Sequence, residues 1–193
     1  QDFAETDKVN RYLNAVYYVD RFTEKLIEQY KHLGLYRDTI FVVVGDHGEA
    51  FGEHGRNQHD NVMWEEGVRV PLLIHDPQRP DLQGRIEYPV NHLDLMPTVS
   101  NLLGFEIEGA NLPGKDIRKV DSNRPLYTHC WYERQCAAKI KGDDKYIHHF
   151  DNRGDQFFDL AADPGEQNNI ISTLNSSGRW RTDILEWRKR VNN

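Results

Sequence analysis

The stretch that most constrains this chain runs from Thr39 to Pro71. It opens on Thr39-Ile40-Phe41-Val42-Val43-Val44, a continuous run of β-branched and aromatic residues stopped by Gly45. Such a run predicts a strand buried on both faces, as in a parallel sheet. Asp46 and His47 follow at once, then Gly48 and Glu49. In an open α/β sheet ligands collect beyond the carboxyl ends of the strands, so a carboxylate and an imidazole stand where chemistry is expected. Side by side they can take a divalent cation, one offering hard anionic oxygen and the other a nitrogen lone pair. Two ligands do not close a site. The plainer role for the same pair is a turn cap and a local hydrogen bond.

The chain before this stretch reads as one long helix. From Thr6 to Leu33 the apolar residues Val9, Leu13, Val16, Val19, Phe22, Leu26, Tyr30 and Leu33 recur at steps of three and four, an amphipathic stripe. Thr6 or Asp7 can cap its start and Gly34 its end. After the loop, Val70 to His75 predicts a second buried strand, stopped by Asp76-Pro77, and a Pro-rich surface loop follows. Asp94 is a plausible cap for a helix reaching Gly104. Between about Phe105 and Arg124 apolar content falls and Gly109, Pro113 and Gly114 appear. We therefore expect an α/β domain over residues 1–115 and a small α+β subdomain over 116–193. In the latter, 125–132, 135–141, 145–150 and 157–160 predict short strands, with Gly142-Asp143-Asp144 as a hairpin turn and 182–191 as a last helix. His129, Trp131, Arg134, His148 and His149 are expected to be ordinary edge-strand and surface residues.

Of 193 residues, 38% are hydrophobic and 28% charged, enough to bury a core. No apolar run is long enough to span a membrane, and the first residues do not resemble a signal peptide. The net charge of −7, without a basic cluster, argues against nucleic acid as a partner. A negatively charged enzyme can still act on anions if a cation sits in its site. Cys130 and Cys136 allow at most one internal bridge and do not form a paired metal motif.

The longer pattern is more specific than any dipeptide. Asp46-His47-Gly48-Glu49 is followed by Gly52-Glu53-His54-Gly55, His59, Trp64-Glu65-Glu66 and Arg69-Val70-Pro71. This order resembles the second signature region of the sulfatases, in the alkaline-phosphatase-like superfamily. The resemblance implies an α/β fold, a partial three-layer sandwich with a small C-terminal antiparallel sheet. It implies that Asp46 and His47 ligate the active-site cation, Ca²⁺ first, with Mn²⁺ or Zn²⁺ as alternatives. Many sulfatases place a Lys shortly before the aromatic-Glu element to bind the ester and help the leaving oxygen depart; here the matching place holds His59. An imidazole there can bind an anionic oxygen or donate a proton. His54 is expected to shape the loop. The segments DLMPTV…LLG and FFDLAADPGEQNN also look sulfatase-like, as packing elements.

The Asp-His form recurs in iduronate-type sulfatases as well as in phosphonate and phosphodiester hydrolases and lipoteichoic-acid-synthase-like transferases, so it does not settle sulfur against phosphorus, and a phosphoryl hydrolase or transferase is the alternative. A non-catalytic binding module is a third. The family's nucleophile, a Cys or Ser that becomes formylglycine, and the early acidic pair of the metal site have no match here. We therefore expect a fragment, completed by the N-terminal remainder of the same protein and inactive alone. Its expected substrate is a sulfated small molecule or glycan.

Overall fold

The computed structural model describes residues 8–60, 62–130, 135–151, 153–174 and 177–191. The chain divides into two compact units, Gln1–His59 with Glu66–Arg85, and Asp60–Glu65 with Ile86–Asn193.

In the first unit, helix α1 (Lys8–His32) realises the expected stripe; the Thr6 and Asp7 caps lie outside the described residues. Its C-terminus closes through Gly34, whose φ of +73° suits glycine, with Leu35 N–H donating to Tyr30 O at 2.9 Å. None of its residues is buried, and Val16, Val19 and Phe22 are exposed. Aromatic contacts are made near its two ends, Tyr12 on Phe51 at 5.0 Å and Tyr30 on Phe41 at 5.4 Å between ring centroids.

Strand β1 (Phe41–Val44) pairs with β2 (Leu72–His75), and here the structure corrects the sequence reading. The pair is antiparallel, with Phe41 opposite His75 and Val44 opposite Leu72, and these two strands make the whole of their sheet among the described residues. Val42, Val43 and Val44 are exposed, not buried on both faces. A continuous apolar run reports a tendency toward burial, but it carries no information on which way the neighbouring strand runs. The segment between β1 and β2 contains the short helix α2 (Glu65–Val68).

In the second unit, a 3-10 turn (His92–Asp94) leads into α3 (Leu95–Leu102). The cap is Asn91, not Asp94: Asn91 Oδ1 accepts from Leu93 N–H, and Asp94 Oδ2 reaches back to Asn91 N–H at 2.9 Å, a capping box. Asp94 is fully buried, accepts from Lys115 N–H at 2.8 Å and pairs with Arg124. It ties the start of α3 to the loop beyond it.

The remaining strands, β3 (Leu126–His129), β4 (Cys136–Lys141), β5 (Asp144–His149) and β6 (Gln156–Asp159), form an antiparallel sheet in that order. Helix α4 (Ser177–Val191) starts earlier than the pattern predicts. It packs on one face of the sheet through Ile184, Trp180 and Trp187 against Ala137, Tyr146 and Phe157. Cys130 and Cys136 are joined by a disulfide across the β3–β4 connection, their Cα atoms 5.2 Å apart. Trp131 and Arg134 lie outside the described residues.

On β5, Lys145 is 0% exposed and paired with Glu65 at 3.0 Å and Glu166 at 2.8 Å. Glu166 Oε2 also accepts from Glu65 N–H. Removing one member would strand a buried charge, at a cost of about 3–5 kcal/mol. His148 and His149 are buried, contrary to the surface placement expected of them, because β5 is an inner strand. His148 Nδ1–H donates to Asp155 Oδ1 at 2.7 Å, and the Tyr146 hydroxyl donates to Oδ2 of the same carboxylate at 2.5 Å.

Two predictions follow from this packing. Ile184→Ala empties a fully buried site and should cost about 2–5 kcal/mol in chemical denaturation. For His149, burial is the main influence holding the imidazole below its ordinary pKa of 6.5, and Arg153 acts in the same direction. The unfolded chain therefore takes up this proton first. The contribution of His149 is whole above pH 6.5 and is lost as pH falls through the folded pKa. Urea midpoints should drop from pH 7 to pH 5, and the drop should be smaller in His149→Gln.

Candidate active site

Beyond β1 the chain turns sharply and its backbone comes very close to α2. Gly45 N–H donates to Pro71 O at 3.1 Å, extending the β1–β2 ladder by one step. Gly48 N–H donates to Gly67 O at 2.9 Å. A Cβ on Gly48 would lie 2.0 Å from Glu66 O, far inside contact distance, so no larger residue fits without displacing backbone.

That clasp fixes the segment holding Asp46 and His47. The Asp46 side chain is 90% exposed. The backbone N–H of His47 donates to its Oδ1 at 3.0 Å. This bond is the main cause holding the carboxyl below its ordinary value, with the charges of His47 and His59 adding to it. His47 Nδ1 lies 2.8 Å from Gly48 O. A carbonyl can only accept, so Nδ1 carries the proton and the lone pair of the neutral ring is on Nε2. Nε2 stands 3.7 Å from Asp46 Oδ2, a separation that one cation bonded to both can span. Among the described residues, no group of three or more His, Cys, Asp and Glu side chains is arranged to hold a metal ion.

His59 is brought to the same place. Its ring stacks on that of His47, centroids 4.1 Å apart and planes 21° from parallel. Its Nδ1 is 2.9 Å from Glu49 Oε2. Lys8, at the start of α1, reaches Glu49 Oε1 at 3.4 Å and also donates to Asn57 O. Burial pushes the Glu49 carboxyl up, but the bonds from His59 and Lys8 outweigh it and leave it below its ordinary value. His54 sits apart in a 3-10 turn at φ +49°, its Nδ1–H donating to Glu66 Oε1 at 2.7 Å. The structure thus gathers Asp46, His47 and His59, and leaves His54 as a tie between loop and α2.

Sequence reasoning passed over Glu49 and Lys8. Glu49 carried a signal, a carboxylate two residues beyond His47; Lys8, 41 residues away from Glu49, carried none.

The sequence profile of the family described as Sulfatase matches residues 1–105, more than half of the chain. The chain belongs to the sulfatase family. Over 177 residues this sulfatase-family chain is 28% identical to an N-acetylglucosamine-6-O-sulfatase of Bacteroides thetaiotaomicron, the match covering 83% of the chain and 31% of that relative. Over 130 residues it is 32% identical to the lipoteichoic acid synthase-like YvgJ of Bacillus subtilis, covering 61% of the chain and 21% of the relative. The chain thus spans a third or less of the length of these curated relatives. The crystal structure of yidJ from Bacteroides fragilis superposes with a TM-score of 0.80 at 21% identity, over the whole chain and 46% of that structure. That likeness shows the fold, helices with antiparallel sheets as in alkaline-phosphatase-like sulfatase structures.

If the clasp sets the geometry of this loop, Gly48→Ala should destabilise the protein by about 1–3 kcal/mol, the usual scale of overpacking. The guanidinium midpoint reads this directly; an unchanged midpoint would mean that the loop absorbs a methyl group freely.

Proposed function

We propose that this chain is part of a hydrolase of sulfuric esters, acting in the whole protein on a sulfated small molecule or glycan. The observation that carries the reading is the gathering of Asp46, His47 and His59 after β1, with the two imidazoles stacked at 4.1 Å. Membership of the sulfatase family and likeness to a relative named for removing sulfate from a sugar support it.

Asp46 and His47 fit a divalent cation, for which we favour Ca²⁺, with Mn²⁺ or Zn²⁺ as alternatives because one donor is an imidazole. When bound, such an ion supplies positive charge against the non-bridging ester oxygens. The side chains do the rest. Asp46 presents a solvent-accessible carboxylate whose ionised form the His47 N–H favours further. His47 is held by Gly48 O with its lone pair on Nε2. His59 neutralises or protonates the bridging ester oxygen as it departs. Neither cysteine is offered as nucleophile, since the two are bonded to one another; the formylglycine of the family is expected elsewhere in the whole protein.

A phosphoryl hydrolase or transferase is the second reading, favoured by the likeness to YvgJ. Rates of the whole protein on an aryl sulfate and an aryl phosphate diester decide between them. We expect faster sulfate cleavage, a loss of about a hundredfold or more in Asp46→Ala, the scale of several kcal/mol of charge stabilisation, and weaker cation uptake by that variant in calorimetry. Faster diester cleavage would move the assignment to phosphoryl transfer. A wild-type protein that cleaves neither and takes up no cation would leave a binding module.

A further inference from the structure

Glu49 is partly withdrawn from solvent, while the neighbouring Asp46 and His59 are more exposed. Its side chain is 21% exposed, against 40% for His59 and 90% for Asp46, and both of its oxygens are engaged. Oε2 faces His59 Nδ1 at 2.9 Å and Oε1 faces Lys8 Nζ at 3.4 Å. A surface ion pair with these distances contributes little to stability. This carboxylate, however, collects a helix residue and a loop residue at one point, beside an imidazole whose ring plane is already set by stacking on His47.

We propose that Glu49 is a positioning residue for His59. The assignment rests on the reading of His59 as the group that serves the departing ester oxygen. An ionised carboxylate only accepts hydrogen bonds, so it holds the proton of His59 on Nδ1 and resists a flip of the ring. Proton exchange with the ester oxygen is then confined to Nε2. In that step the sulfuryl group passes to the attacking oxygen nucleophile and the S–O bond to the leaving group breaks, its electron pair staying on the departing oxygen. The Nε2–H bond breaks and the new O–H bond forms on the alcohol, leaving His59 neutral. Lys8 holds the other carboxylate oxygen and keeps Glu49 from turning away.

The test uses the whole protein and two esters that differ in their need for a proton. Glu49→Gln and Glu49→Ala should lower kcat on an alkyl sulfate about 10- to 100-fold, the scale for loss of a group that orients a functional imidazole. On para-nitrophenyl sulfate, whose leaving oxygen needs little protonation, the loss should stay under about threefold, with KM unchanged on both. In a His59→Ala background, Glu49→Gln should add no further loss. Equal losses on the two esters, or losses that add to those of His59→Ala, overturn the assignment. A second readout needs no turnover: nitrogen-15 histidine NMR should show His59 protonated at Nδ1 in the wild type and shifted toward the other tautomer in Glu49→Ala, and an unchanged tautomer also overturns it. Should the whole protein cleave no sulfate ester, the proposed activity fails while the tautomer measurement still decides the role of Glu49.

Discussion

The candidate site depends on one close approach of backbone to backbone. Gly48 lies against Glu66 and Gly67 with no room for a side chain, and its N–H spends itself on Gly67 O. Because hydrogen-bonded backbone is stiff, this contact fixes the peptide that carries Asp46 and His47 without using either side chain. The three imidazoles of the loop are tied in one manner, Nδ1 to a carbonyl or carboxylate oxygen: His47 to Gly48, His54 to Glu66 and His59 to Glu49. Such ties set the tautomer of a ring before any ligand arrives.

The same loop is crowded with acids, in a chain whose net charge is already −7. Glu49, Glu53 and Glu66 each accept hydrogen bonds from nearby groups, so their charge is spent on holding the loop. Asp46 faces water, with 90% of its side chain exposed. Lys8 supplies positive charge to Glu49, and a cation on the Asp46–His47 pair, as proposed, would add more. This is how an acidic protein can hold an anionic ester without a basic surface.

How much was legible in the sequence differs from one element to the next, for physical reasons. The helices α1 and α4 and the hairpin of β4 and β5 follow from periodicity and a Gly-containing turn, because those signals are local. The direction of β1 against β2 is not local, and the apolar run from Thr39 to Val44 misled in suggesting a parallel neighbour and full burial. Asp94 looked like a cap because it precedes an apolar run; only the fold shows Asn91 taking that place while Asp94 binds Lys115 and Arg124. The ordered signature pointed to Asp46, His47 and His59, which the fold brings together. It did not expose the partners that hold them, since Gly67 and Lys8 become neighbours only when the chain closes.

Glu166 shows two demands meeting at one residue. Its backbone sits at φ +52°, where glycine or asparagine is the easier choice, yet its carboxylate is what Lys145 and the Glu65 N–H require. A glycine would relax the turn and leave the buried ammonium with Glu65 as its remaining carboxylate. An asparagine would suit the backbone but bring no charge. Substitutions that improve loop conformation in isolation would therefore fail here, and the turn after Asp163-Pro164-Gly165 is a poor place to seek stabilising changes by backbone preference alone.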